Sequence, residues 1–206
     1  MAHFLLIRHG ETIWNRERRF QGIMDIPLSE KGRDEARQLA AFLRDKHLDA
    51  IYSSHLSRAL DTAKTVAACH NKDVQVVAEL SEINVGEWAG LGWEEIWERW
   101  PELGGQWYSN PPESPAPPGG EYYPDFQKRC MAALEKIAAA HSDTDLVAVV
   151  SHGGVIRAVM NQLLGLSWNT RGKFYVQNCS ITRMRWQPEG KVLVDGFNDV
   201  CHMTKE

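Results

Sequence analysis

The sequence predicts an α/β fold: three layers, α/β/α, with a mostly parallel central sheet and a small inserted cap. Three observations point there. Strand-like and helix-like segments alternate along most of the chain. Two strand-like segments, FLLI at 4–7 and LVAVV at 146–150, are apolar at every position, as strands covered on both faces are. Both run into the same dipeptide, His-Gly, at His9 and His152.

The first strand is expected over residues 4–8. A helix follows over 29–46, where Ser29 and Glu30 give a capped, acidic start and Ala36, Leu39, Ala40 and Leu43 recur at helical spacing. Residues 50–53 are the second strand and 55–70 the second helix. Residues 74–77 form a short strand, 126–140 a helix, 146–151 a strand and 154–164 a helix. Segments 180–186 and 191–195 are the last strands, and the turn signal QPEG between them makes a hairpin.

Residues 86–124 break the alternation and are rich in Trp, Gly and Pro, with five of the eight tryptophans. They are expected to form the cap within one domain spanning 1–206, with a short helix near 93–100 and a loop through the prolines. Trp93, Trp97 and Trp100 fall at i, i+4 and i+7, the spacing that docks a helix on a core. Long loops beside a site often bind ligands, so part of the cap is expected to shape ligand choice.

Hydrophobic residues make up 43% and charged residues 24%, which allows a sizeable core and argues against disorder. Lys and Arg number 23 against 27 Asp and Glu, a net charge of -4. Such a balance excludes an obvious nucleic-acid or membrane-surface binder, so any bound anion must be held by a local cluster. Cys69, Cys130, Cys179 and Cys201 form no CxxC pair and are expected to be reduced, mostly buried thiols. The first residues lack a signal peptide's apolar run, and no stretch nears the ~18 apolar residues that span a bilayer. A soluble, cytoplasmic protein is expected.

In a parallel sheet the two His-Gly strand ends share one edge, the edge where open α/β sheets bind ligands. Gly10, Gly153 and Gly154 allow close backbone approach there, and Gly153 and Gly154 open a helix whose N-terminal amides favour an anion. Arg8 stands beside His9, and a buried cation is expensive unless paired. It would also repel a metal ion. No HExxH occurs, the cysteines are scattered, and no third ligand lies near either histidine, so no metal and no cofactor are expected. SHGG is not a serine nucleophile elbow, and GEWAGLG lacks dinucleotide-loop spacing. A cationic pocket without metal suits phosphate, whose oxygen edges arginine binds bidentately. Arg58 follows the 50–53 strand and is the second candidate arginine.

The combined pattern resembles the histidine phosphatase superfamily, in its phosphoglycerate-mutase-like branch. The matching pieces are RHGETIWN at 8–15, FQGIMDIPLSEKG at 20–32, IYSSHLSRALDTA at 51–63, LSEINVGEWAG at 80–90, PGGE at 118–121 and VVSHGG at 149–154. The resemblance implies that His9 is a nucleophile that becomes phosphorylated, with its other ring nitrogen held by an acceptor such as a backbone carbonyl. Arg8, Arg58 and His152 should surround the phosphoryl oxygens. Glu82 matches the general acid, which must carry a proton as the first step begins. Asn15, Gln21 and Gly22 match positions that touch the phosphate or the substrate body, and Gly153, at the helix start, is the fourth substrate-binding candidate. Glu11 is expected to orient an arginine.

The implied activity is metal-independent hydrolysis of a small phosphomonoester, such as α-ribazole-5'-phosphate or a sugar phosphate. The alternatives are a cofactor-dependent phosphoglycerate mutase and a non-catalytic phospho-ligand-binding protein. The presence of both histidines, both arginines and Glu82 speaks against the last. The cap's one basic residue, Arg99, speaks against a phosphoglycerate carboxylate. Tyr122 stands where related phosphatases carry a serine after PGGE, which leaves the substrate contact open. The assembly is open between a monomer and a homodimer.

Overall fold

The computed structural model describes residues 2–109, 114–166, 174–186 and 191–204. Six strands, β1 (Ala2–Arg8), β2 (Ala50–Ser53), β3 (Val74–Val76), β4 (Leu146–Ser151), β5 (Ile181–Trp186) and β6 (Val192–Asp199), form one sheet in the order β3-β2-β4-β1-β5-β6. The first four are parallel, and β5 and β6 add antiparallel to the β1 side. Arg8 pairs with Ser151, so the two His-Gly ends leave the sheet side by side. The β5–β6 pairing is the expected one; QPEG itself, at 187–190, lies outside the described residues.

The helices are α1 (Ile13–Arg16), α2 (Glu30–Leu43), α3 (Ser57–Ala67), α4 (Trp93–Arg99), α5 (Pro101–Ser109), α6 (Tyr123–Ala139) and α7 (Gly153–Leu163). Along β1, Leu5 and Ile7 pack with Leu39 and Leu43 of α2 and Val66 of α3. Phe4 and Leu6 pack with Phe126 and Leu134 of α6 and Val159 of α7. The uninterrupted apolar strand is therefore the signature of a sheet with helices on both faces.

Four features differ from expectation, the first being the short helix α1, capped by Thr12, where no element was expected. Strand β6 runs to Asp199, although DGFND reads as turn chemistry. Shifts in pairing with β5 absorb it, with Gly196 opposite Arg183 and Asn198 at φ 54°. Helix α5 was not expected because Gly104 and Gly105 lower helix propensity; Pro101 stands at its start, where proline is tolerated. The tryptophan triplet does not dock α4 as a set. Trp97 is 40% exposed, and the buried anchor of that helix is Ile96. The ring at the centre is Trp88, fully buried in edge or tilted contact with Phe20, Trp93, Trp100 and Trp107.

Of the four free cysteines, Cys130 and Cys179 are buried and Cys69 and Cys201 exposed, so burial holds for half of them. Among the described residues no helix is long and apolar enough to cross a membrane.

Because Trp88 is enclosed by aromatic rings, Trp88→Ala should lower stability by about 3–5 kcal/mol. The denaturant midpoint measures this; a change below about 1 kcal/mol would contradict this account of the packing.

Candidate active site

His9 follows β1, His152 follows β4, and their rings lie 5.2 Å apart between centroids. The His9 Nδ1 is 2.7 Å from the Gly10 carbonyl oxygen. A carbonyl only accepts, so Nδ1 carries the proton and Nε2 keeps its lone pair. The His9 carbonyl accepts from Asn178 Nδ2 at 2.9 Å, and the His9 N–H donates to Ser151 O at 2.9 Å. The Gly10 N–H donates to Thr62 Oγ1, whose hydroxyl donates to Arg58 O, tying the loop after β1 to α3. His152 Nε2 lies 2.9 Å from Ser54 Oγ, and its buried Nδ1 has no partner among the described residues.

Burial pushes both imidazoles well below the ordinary histidine range, and Arg58 adds to it by charge repulsion. Arg8 is held through its NH1 by Val176 O at 2.6 Å, and Arg58 by Met24 O and Gly22 O at 2.7 Å each. The Nε–H of each is buried and, among the described residues, unpartnered. Burial, then repulsion by Arg157, pushes Arg8 down to about 10. Arg58, 1% exposed, is lowered by burial as well. Two clamped guanidinium groups with free donors make an anion site.

Glu82 reaches the same edge from the other direction. Its Oε1 accepts from Ile83 N and its Oε2 from Gly154 N, both at 2.9 Å. A Cβ at Gly154 would overlap the Glu82 carboxylate, so this contact requires glycine. The loop carrying Glu82 is clamped from behind by Arg129. That guanidinium donates to Glu79 O, Ser81 O and Glu82 O, and pairs with Glu121 of the PGGE stretch. Glu121 also accepts from Asn84 N.

These groups open onto a cavity of about 610 Å³. Arg8, His9, Asn15, Gln21, Gly22, Arg58, Glu82 and Gly153 all line it; His152 is not among the lining residues and is fully buried, its ring tilted against that of His9. Asn15 Oδ1 accepts from Thr12 N and Asn178 Nδ2, which leaves the Asn15 amide NH₂ to donate. Gln21 is buried with its Oε1 unpartnered among the described residues. Gly22 serves through its backbone, at φ 51° with its carbonyl on Arg58. Glu11 departs from expectation: its carboxylate accepts from Ser29 Oγ, which also caps α2, rather than orienting an arginine.

Phe20, Trp93, Trp107 and Phe126 form an apolar wall. Among the described residues no three His, Cys, Asp or Glu side chains are grouped to hold a metal ion. Sequence reasoning missed Arg157, Arg129, Asn178, Ser54 and Thr62. Arg157 had a signal, one helical turn beyond Gly153; the others act through contacts between segments distant in sequence.

The histidine phosphatase superfamily, branch 1, matches residues 4–199. The chain belongs to that superfamily. The metal-independent phosphoserine phosphatase of Arabidopsis thaliana is 36% identical over 206 residues, 99% of this chain and 84% of its own length. A 2,3-bisphosphoglycerate-dependent phosphoglycerate mutase of Gloeobacter violaceus is 34% identical over 92% of this chain and 88% of its own. A mutant phosphoserine phosphatase of Entamoeba histolytica, solved with phosphoserine, superposes with a TM-score of 0.89 at 29% identity, covering 99% of this chain and all of that one. The superfamily's phosphatases are phosphoric monoester hydrolases.

Both histidines are held neutral, so the unfolded chain binds more protons than the folded one below its ordinary value near 6.5. Their contribution to stability should be complete above about pH 6.5 and fall progressively below it. In NMR titrations of the free protein, the His9 and His152 rings should stay neutral from pH 8 to 6; an ordinary midpoint near 6.5 in either would contradict the burial argument.

Proposed function

We propose that the chain hydrolyses small phosphomonoesters in two steps, through phosphohistidine at His9 and without a metal ion. The observation that carries this reading is the His9 ring: Nδ1–H is tied to Gly10 O, leaving the Nε2 lone pair free in the field of two arginines with free donors. In the first step the Nε2 lone pair bonds to phosphorus and the ester P–O bond breaks. Glu82 gives its proton to the departing alkoxide. In the second step Glu82 takes a proton from water, the hydroxide bonds to phosphorus, and the P–N bond breaks to release phosphate and neutral His9. Arg8 and Arg58 hold the phosphoryl oxygens through both steps, which is most of what phosphoryl transfer asks of a protein. When Ser54 donates its hydroxyl proton to His152 Nε2, His152 Nδ1 carries a proton and adds a donor.

The reading takes residues 1–206 as one domain with 86–124 as its cap, and Trp93 and Trp107 of that stretch line the cavity. The substrates expected from the sequence, α-ribazole-5'-phosphate and sugar phosphates, belong in a test panel with phosphoserine, the substrate named for two of the relatives above. A second reading, mutase activity, is supported by the likeness to the Gloeobacter enzyme.

Phosphate release in EDTA is the test, over that panel with 3-phosphoglycerate and an aryl phosphate added. Turnover of at least one ester is expected, and His9→Ala should abolish it while the protein stays folded. Formation of 2-phosphoglycerate once bisphosphoglycerate is supplied, with no phosphate released, would favour the mutase.

Glu82→Gln should slow an alkyl phosphate about 10²–10⁴-fold and an aryl phosphate far less, because an aryl oxide leaves without needing a proton. Arg129 is a positioning residue, so Arg129→Gln should give the same substrate pattern in weaker form. Equal losses on both substrates, measured by kcat/KM, would contradict the roles of Glu82 and its clamp.

A further inference from the structure

Helix α2 carries a buried carboxylate that the mechanism above does not use. Glu35 is 7% exposed, and its Oε2 accepts from the Glu11 N–H at 2.7 Å. That N–H belongs to the same peptide group as the Gly10 carbonyl, which accepts from His9 Nδ1 at 2.7 Å. One planar amide therefore stands between a buried carboxylate and the ring of the nucleophile. The amide is fixed from the α2 side as well. Ser29 N donates to Glu11 O at 2.8 Å. A Cβ on Gly10 would overlap the Gly32 carbonyl, and one on Gly32 would overlap the Glu11 carbonyl. The first turn of α2 thus meets the loop after β1 backbone to backbone. Burial pushes the Glu35 carboxyl above its ordinary value, against the pull of the Glu11 N–H. A charge kept from water in this way acts more strongly on its neighbours.

Hydrogen bonds in a chain polarise one another. A carboxylate at the N–H end of an amide moves electron density towards the amide oxygen, which then accepts more strongly. The need is greatest in the first chemical step. As Nε2 bonds to phosphorus while Nδ1 keeps its proton, the ring gains positive charge. We propose that Glu35 is a positioning residue that acts on His9 through the Gly10–Glu11 peptide group, holding the ring and offsetting the charge it gains. No proton moves along this path. The effect on rate rests on the phosphatase reading; the effect on the hydrogen bond does not. Glu35 also favours the charged form of Arg8 across space. Acting only across space, a negative charge would oppose a phosphoryl dianion, and its removal would speed the reaction. Acting through the peptide, its removal slows it.

Glu35→Gln removes the charge and keeps an acceptor for the Glu11 N–H. Its kcat/KM on phosphomonoesters should fall about three- to tenfold, the difference between a charged and a neutral hydrogen bond. In NMR spectra of the free protein the His9 Nδ1–H resonance should move upfield, as it does when a hydrogen bond weakens. Glu11→Gln is the control, since it removes a neighbouring charge and leaves the N–H; both readouts should stay near wild type. A kcat/KM that holds or rises in Glu35→Gln, an Nδ1–H resonance that stays in place, or equal changes in Glu11→Gln would overturn the proposal. If wild-type protein hydrolyses no ester, the phosphatase reading fails on its own. The resonance then decides: an upfield shift confined to Glu35→Gln upholds the link to His9, and no shift overturns it.

Discussion

Burying the guanidinium of Arg58, and half-burying that of Arg8, removes two permanent charges from water with no ion pair formed by either among the described residues. Backbone carbonyls take part of the donor capacity and fix the two forks in place. They supply no negative charge. The deficit at the sheet edge is therefore built into the fold, and a phosphoryl dianion is the ligand that cancels it. The other features of the site depend on this arrangement. Burial, with the same positive field added to it, keeps His9 and His152 uncharged, and a nucleophile needs that lone pair.

Holding such a site takes backbone contacts more than side-chain pairs. The loop after β1 is fixed by Thr62, Asn178 and the Ser151 carbonyl, and the loop bearing Glu82 by Gly154 and the Arg129–Glu121 pair. Gly86 sits at φ 52° against the backbone of Pro118 and Gly120, so the GEW and PGGE stretches form one docked unit. Preorganisation of this kind suits a reaction in which the protein mainly positions charges. The apolar wall of Phe20, Trp93, Trp107 and Phe126 narrows the space available to the rest of the ligand.

Much of this was legible before the structure. Continuous apolar runs ending in His-Gly gave away a two-sided parallel sheet and the shared edge, because period and burial are local properties of sequence. Asn15, Gln21, Gly22 and Glu82 were legible only through the resemblance to a family. Alone, Glu82 is one carboxylate among many, and what singles it out is Gly154, far away in the chain. Helix α5 was hidden by its glycines, and Trp88 by neighbours with a more regular spacing. Asn178 and Ser54 left no local signal, since their partners are distant in sequence. Arg157 was passed over because charge was counted along the cap and not around the cavity.

The central claim is covalent: phosphorus is bonded to Nε2 of His9 during turnover. It is tested most directly by quenching the protein in alkali during steady-state hydrolysis, which preserves phosphohistidine, and mapping its peptides by mass. The account predicts a gain of one phosphoryl group on the peptide containing His9, lost again once substrate is exhausted. A phosphoryl group on a different residue, or none while phosphate is being released, would contradict it.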